Sequence, residues 1–280
     1  MTAHVFASAC LLSLATFALA AAAGPTDAGP AGPTTREARL AAAEALRAAV
    51  TDVQTLEAEP AKLELLRRRA AAAIEPLAGR THVTDALQHQ LTEANADELP
   101  ALLAAATAAA DDLAFEPTME AEFPEGFPPY TPVGEVRVKT YPAARLAQAF
   151  ARDGAMFFRL FRHINTNEVA MTTPVVMGTD ADRGATMGFY YEAPAQGDAG
   201  AAADDVQVVD VPPTRVVSIG VRGNQTRAAT DAAVARLDAW LAANPQEQAV
   251  GEPRVMGYNS PFMSRDKRFF EVQYVLADGE

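Results

Sequence analysis

Cysteine is nearly absent from this sequence, and that absence excludes a good deal of chemistry. The 280 residues contain one cysteine, Cys10, inside an apolar N-terminal run. Once that run is removed, the chain can form no disulfide, offers no thiol nucleophile and holds no thiolate ligand for zinc or haem iron. Histidine is also scarce, with four in the chain. His82 and His89 are seven residues apart, whereas a metal pair on one helix needs a spacing of three or four. Positive charge is in deficit too: 23 Lys and Arg stand against 36 Asp and Glu, for a formal net charge of −13. That balance argues against nucleic acid and anionic membrane surfaces as main partners, and an anionic ligand would need a local basic patch. No glycine-rich phosphate loop, metal-ligand cluster or Ser–His–Asp arrangement is present, and Asp204-Asp205 reads as a solvated acidic pair. These absences point to a non-enzymatic protein.

What is present divides the chain. Val5 to Ala23 is almost wholly apolar and ends in a run of small residues, the pattern of a cleaved signal peptide over residues 1–23. The mature protein is therefore expected to be exported, periplasmic or secreted, with no membrane attachment after cleavage. Residues 24–33 form a Gly/Pro/Ala linker. Residues 34–115 are rich in Ala, Leu, Glu and Arg and poor in strand formers, which predicts a small helical bundle or arm. Thr34 with Glu37 suggests a capping box, Pro60 a first-turn proline, Thr84 a cap for a third helix and Asn95 or Asp97 a cap for a fourth. The arm is read as a spacer, with a protein partner as the alternative.

Residues 116–280 change texture. A Pro- and aromatic-rich stretch, Glu116 to Tyr130, reads as a wrap around the next domain. Beyond it, short alternating segments predict strands and two helices, one from Asp153 to Ile164 and one from Gln225 to Asn244. The order gives two βαββ-like halves and an α+β fold. "NEVAMTTPVVMG", Asn167 to Gly178, reads as a strand from Val169 whose Pro174 belongs at an edge or bulge. On the first helix a wheel puts Met156, Phe157, Leu160, Phe161 and Ile164 inward and Phe158, Arg159, Arg162 and His163 outward.

"VRVKTYPAARL", "FFRLFRHINTNEVAMTTPVVM" and "MGYNSPFMSRDKRFFEVQYVL" together resemble the SOUL haem-binding protein family. The resemblance covers roughly Met119 to Leu276. It implies a distorted antiparallel β-barrel with two helices related by a pseudo-twofold, and it implies haem or a related tetrapyrrole as ligand. Some members carry a histidine before the tyrosine of the first strand, and here that position is Thr140, so haem would be held without that ligand. The family's cleft lies between the first helix and the loop before the last strand. Carried onto this sequence, the binding residues are Phe158, Arg159, Arg162 and His163 on the helix and Phe262, Met263 and Arg265 on the loop, with no metal ligand among them. The alternative reading is a structural or interaction module with a vestigial pocket, or a pocket for another flat apolar ligand.

Overall fold

The computed structural model describes residues 32–150, 155–202 and 205–277. The expected signal peptide lies outside these residues, as do most of the linker and the expected helix start at Asp153.

Four helices come first: α1 (Arg36–Val53), α2 (Glu59–Ile74), α3 (His82–Glu93) and α4 (Leu99–Leu113). The α1 cap is Thr35, whose side chain accepts from the Ala38 amide. Thr34, the expected cap, instead turns its hydroxyl to the Glu135 carboxylate in the sheet region. In α3 the cap is Thr81 in place of Thr84. The Asn95–Glu98 capping box forms and leads into α4, with Pro100 in its first turn. Leu46, Leu66, Ile74, Leu77, Leu87, Leu91, Leu102 and Leu113 fill the bundle's own core. Each such side chain contributes about 1.5–3 kcal/mol on burial.

The sheet follows. Its strands are β1 (Val136–Tyr141), β2 (Ala144–Phe150), β3 (Val175–Asp180), β4 (Gly184–Tyr190), β5 (Gly200–Ala201), β6 (Gln207–Val211), β7 (Thr214–Arg222), β8 (Ala249–Gly257) and β9 (Phe269–Leu276). Helix α5 (Met156–Thr166) lies between β2 and β3, and α6 (Arg227–Ala243) between β7 and β8. Among the described residues the sheet order is β1-β7-β9-β8-β3-β4-β2-β6-β5, antiparallel throughout. β1 pairs β7 from Val136 opposite Ile219 to Tyr141 opposite Thr214, and β2 pairs β6 on the same register, with Ala144 opposite Val211. Only Pro142-Ala143 separates β1 from β2, and only Pro212-Pro213 separates β6 from β7. Two long strands, each broken by proline, therefore join the ends of the sheet order. The sheet curls into a distorted barrel made of two matching halves, as the sequence predicts.

Alternation then assigns three packing zones. On β9, Phe269 and Val275 point into the barrel, whereas Phe270, Val272 and Leu276 point under α6. Helix α5 covers Ala147, Ala149 and Phe189 on β2 and β4. The Pro-rich stretch does wrap the domain: Phe123, Phe127 and Tyr130 pack into the barrel interior, and the Phe127 ring lies 4.9 Å from that of Tyr141 and 5.0 Å from that of Tyr190.

The Asn167–Gly178 motif is a corner. Its strand begins at Val175, not Val169, and β3 is an interior strand between β8 and β4. Pro174 sits just before it, after a cis peptide bond, so its missing N–H removes nothing from the ladder. The two threonines tie the corner down. Thr172 donates its hydroxyl to the Tyr190 carbonyl at 2.6 Å, and Thr173 donates its hydroxyl to Tyr258 O at 3.3 Å.

The arm and the sheet region share polar contacts. Glu135, 1% exposed, accepts from Thr34 and pairs with Arg39 at 3.4 Å and Arg137 at 2.6 Å. Arg222 on β7 pairs with Asp112 on α4 at 3.1 Å, and the His82 amide donates to Gly134 O at 2.9 Å.

Candidate functional site

Helix α5, Met-Phe-Phe-Arg-Leu-Phe-Arg-His-Ile-Asn-Thr, carries four of the seven expected site residues. Leu160, His163 and Ile164 are its buried side chains. Two expectations change here. Phe157 and Phe161, expected in the core, remain 40% and 44% exposed, and His163, expected to face solvent, is 8% exposed. The helix is rotated so that its inward arc centres on Leu160, Ile164 and His163, over the small side chains Ala147 and Ala149 of β2.

Rotation leaves a ribbon of aromatics outside. Phe158 is 69% exposed. Phe157 stacks on Phe161 with ring centroids 6.0 Å apart, meets Phe158 edge-on at 5.9 Å and rests edge-on against buried Phe189 at 5.5 Å. Phe189 therefore braces the ribbon from below. A shallow groove of about 430 Å³ runs along it, lined by Phe158, Phe161, Arg162, Asn165 and Thr166. A flat apolar ligand could lie on the rings, with Arg162, Asn165 and Thr166 meeting its polar edge.

The other expected residues fall elsewhere. Arg159 donates to the Phe150 carbonyl at 2.7 Å and so ties α5 to the end of β2. His163 Nε2 lies 2.8 Å from the Tyr191 hydroxyl, and Nδ1 lies 3.3 Å from the Asn167 amide nitrogen. That Asn167 nitrogen also donates to His163 O at 2.8 Å, which fixes it as the amide's donor end. Nδ1 therefore accepts and Nε2 carries the proton. Iron could reach either nitrogen only by breaking one of these contacts. Phe262 is 94% exposed on the loop between β8 and β9. Arg268 fastens that loop through the carbonyls of Pro261 and Met263, at 2.5 and 2.8 Å. None of Phe262, Met263 and Arg265 lines the α5 groove. Thr140 lies on β1, opposite Arg215, and is not part of the groove either.

Burial holds the His163 pKa below its ordinary value. The native state resists protonation that the unfolded chain accepts, so the stability contributed by neutral His163 is present above about pH 6.5 and is lost as pH falls toward the depressed native value. His82, half-buried and also held low by burial, shares in this loss. Subtracting the stability–pH curve of His163→Gln from that of wild type isolates the His163 part. We expect a difference that grows in favour of the variant below about pH 6.5; parallel curves would contradict it.

The barrel interior holds a second set of polar groups that sequence reading missed. Lys139 Nζ lies 2.8 Å from both oxygens of Glu271, and both residues are buried. Glu271 also accepts from Ser218 Oγ at 3.1 Å, from Gln273 Nε2 at 2.7 Å and from the Thr131 amide. Gln273 Nε2 reaches the Tyr141 hydroxyl at 2.8 Å as well. Burial lowers the Lys139 pKa and the Glu271 carboxylate opposes that shift. The signal that could have exposed the network was the alternation in "FFEVQYVL", which places Glu271 and Gln273 on one face with Phe269. With its partners supplied from within, this network reads as a core fastening.

Three comparisons bear on this arrangement. No curated protein matches the chain. Among solved structures, the chain is similar to the EcmrR C-terminal domain, at 13% identity and TM-score 0.39, covering 51% of this chain and 97% of that one. It is also similar to an uncharacterized conserved protein from Listeria innocua, at 9% identity and TM-score 0.42, covering 53% of this chain and 95% of that one. The model of the SOUL heme-binding protein family matches residues 127–275, more than half of the sequence and every strand and helix of the barrel. The chain belongs to the SOUL heme-binding protein family.

Proposed function

We propose that this protein is an exported, non-enzymatic binding protein for haem or a related tetrapyrrole, and that the ligand lies on the outer face of α5. The observation that supports this most is the aromatic ribbon: three phenylalanines exposed side by side on one helix, braced by Phe189 and bordered by Arg162. A soluble domain rarely leaves such a surface without use. The macrocycle would stack on Phe158 and Phe161, and its propionates would meet Arg162 and the amide of Asn165. The groove walls contain no histidine, cysteine or methionine, so binding there does not route through a protein ligand to iron. In this reading the unit from Glu116 onward holds the ligand, while the arm serves as a spacer or partner surface.

Titrating haemin against the protein and following the Soret band tests the reading. Each desolvated charge-assisted contact contributes about 1.5–3 kcal/mol, so Arg162→Ala should weaken binding about tenfold or more. Phe158→Ala should weaken it similarly with little change in melting temperature, because the side chain is exposed. Unchanged affinity in both variants would remove the site from α5 and favour the interaction-module reading.

Expressing the chain from Glu116 tests the division. We expect a cooperative melt at lower temperature than the full chain, because Glu135 keeps Arg137 but loses Thr34 and Arg39. An insoluble or non-cooperative product would mean that arm and barrel fold as one.

A further inference from the structure

We propose that the helical arm works a plug: residues 116–135 form a strap that closes the barrel while the arm is docked, and lifting the arm opens the tyrosine-lined interior. The inference concerns the barrel mouth and rests on nothing at α5. Both ends of the strap are tied to the arm. At its start Glu116 pairs with Arg36 of α1, and Phe115 stacks on Phe269 of β9 with centroids 6.1 Å apart. At its end the His82 amide donates to Gly134 O at 2.9 Å, Thr81 directs its hydroxyl to Val133 O at 3.5 Å, and Glu135 takes Thr34 and Arg39. Gly134 has φ +74°, and a Cβ there would lie 2.7 Å from Val83 Cγ2, so the start of α3 presses directly on the strap backbone. Between these ends Phe123 meets Tyr258 edge-on at 6.0 Å, and Phe127 sits between Tyr141 and Tyr190; all three tyrosines are buried.

The arm is built to move as one body. Its leucines and alanines form a core of their own, and none of its helices packs along a strand of the barrel. What joins it to the barrel is chiefly polar: Glu135 with Thr34 and Arg39, Asp112 with Arg222, and the His82 amide on Gly134. An interface of that kind between units of one chain permits relative motion, whereas a large apolar one would forbid it. The closed strap also carries a cost. Thr131 is fully buried and its hydroxyl has no hydrogen-bond partner, a penalty that is relieved when the strap lifts. The barrel holds the strap through the Thr131 amide on Glu271 and the Gly134 amide on Gly220 O, and the arm supplies the remaining hold at its end. Opening is therefore a local event, below the free energy of global unfolding.

The test is amide hydrogen exchange on the full chain, without tetrapyrrole. His82→Pro removes the donor to Gly134 O and leaves α3 intact: His82 is the first helical residue, where proline is favoured, and Thr81 before it is extended, with φ −146° and ψ 134°. Asp112→Ala removes the arm's pair with Arg222 and leaves the His82 contact in place. In each variant the amides of Glu125, Thr131 and Gly134, all bonded to the barrel in the closed state, should exchange about tenfold faster than in wild type, equivalent to about 1.4 kcal/mol. The amides of α1 and β9 should keep their wild-type rates. Tetranitromethane should nitrate Tyr141 and Tyr190 faster in both variants, with Tyr274, on the α6 side of β9, unchanged. Strap amides that keep wild-type rates in both variants would overturn the proposal, because the barrel alone would then hold the strap. Strap amides that open only together with β9 would overturn it as well, because opening would then be global unfolding.

Discussion

Glu271→Ala is expected to destabilise the protein by about 3–5 kcal/mol, because it leaves Lys139 buried beside no counter-charge. Glu271 is fully buried and gathers Lys139, Ser218, Gln273 and the Thr131 amide around one carboxylate. Removing it strands several donors at once, and the penalty for an unpaired buried charge exceeds the loss of any single hydrogen bond. Chemical denaturation would measure the loss as a lowered midpoint. The double variant Lys139→Met with Glu271→Leu should recover the part of the loss that comes from the unpaired charge, while Ser218, Gln273 and the Thr131 amide stay without the carboxylate. If the double variant is as unstable as the single one, the stranded donors and not the charge govern the site.

Gly220→Ala is expected to cost about 3 kcal/mol and to loosen the segment that closes the barrel. A Cβ at this position would overlap the Thr131 carbonyl oxygen and lie 2.7 Å from that of Pro132. Both obstacles are backbone, so no side-chain rotation relieves the clash. The segment is held here by the Gly134 amide, which donates to Gly220 O at 2.9 Å. If it lifts, Phe127 leaves its place between Tyr141 and Tyr190, and limited proteolysis should cut between residues 123 and 135 faster than in wild type. A variant with wild-type melting and cleavage would show that the strand accommodates the methyl without moving the segment.

These two effects also mark where sequence reading stopped. The arm's helices were legible because Ala, Leu and Glu set a helical period and Pro60, Asn95 and Pro100 punctuate it. The barrel's halves were legible because two-residue alternation bounded by proline and glycine recurs in the same order on both sides of α5 and α6. Local signals of similar strength were settled by distant partners. Thr34 and Thr35 are both good caps, and Glu135, a hundred residues on, takes Thr34 away from that role. On α5 the wheel fixed which side chains share an arc but not which arc meets the sheet. Tyr191 captured His163, and Ala147 and Ala149 left room for Leu160 and Ile164, so the phenylalanines turned outward. Lys139 passed unnoticed because its partner comes from the last strand, 132 positions further along the chain.

We propose that α5 holds a tetrapyrrole by its ring faces and carboxylates and not through its metal. Parallel titration of haemin and metal-free protoporphyrin tests this most directly. The two affinities should lie within about threefold of each other, a difference of roughly 0.7 kcal/mol, and both should be lost in Phe158→Asp. Tight haemin binding with a histidine-type Soret spectrum and no binding of the metal-free ring would contradict it, as would the absence of binding by either.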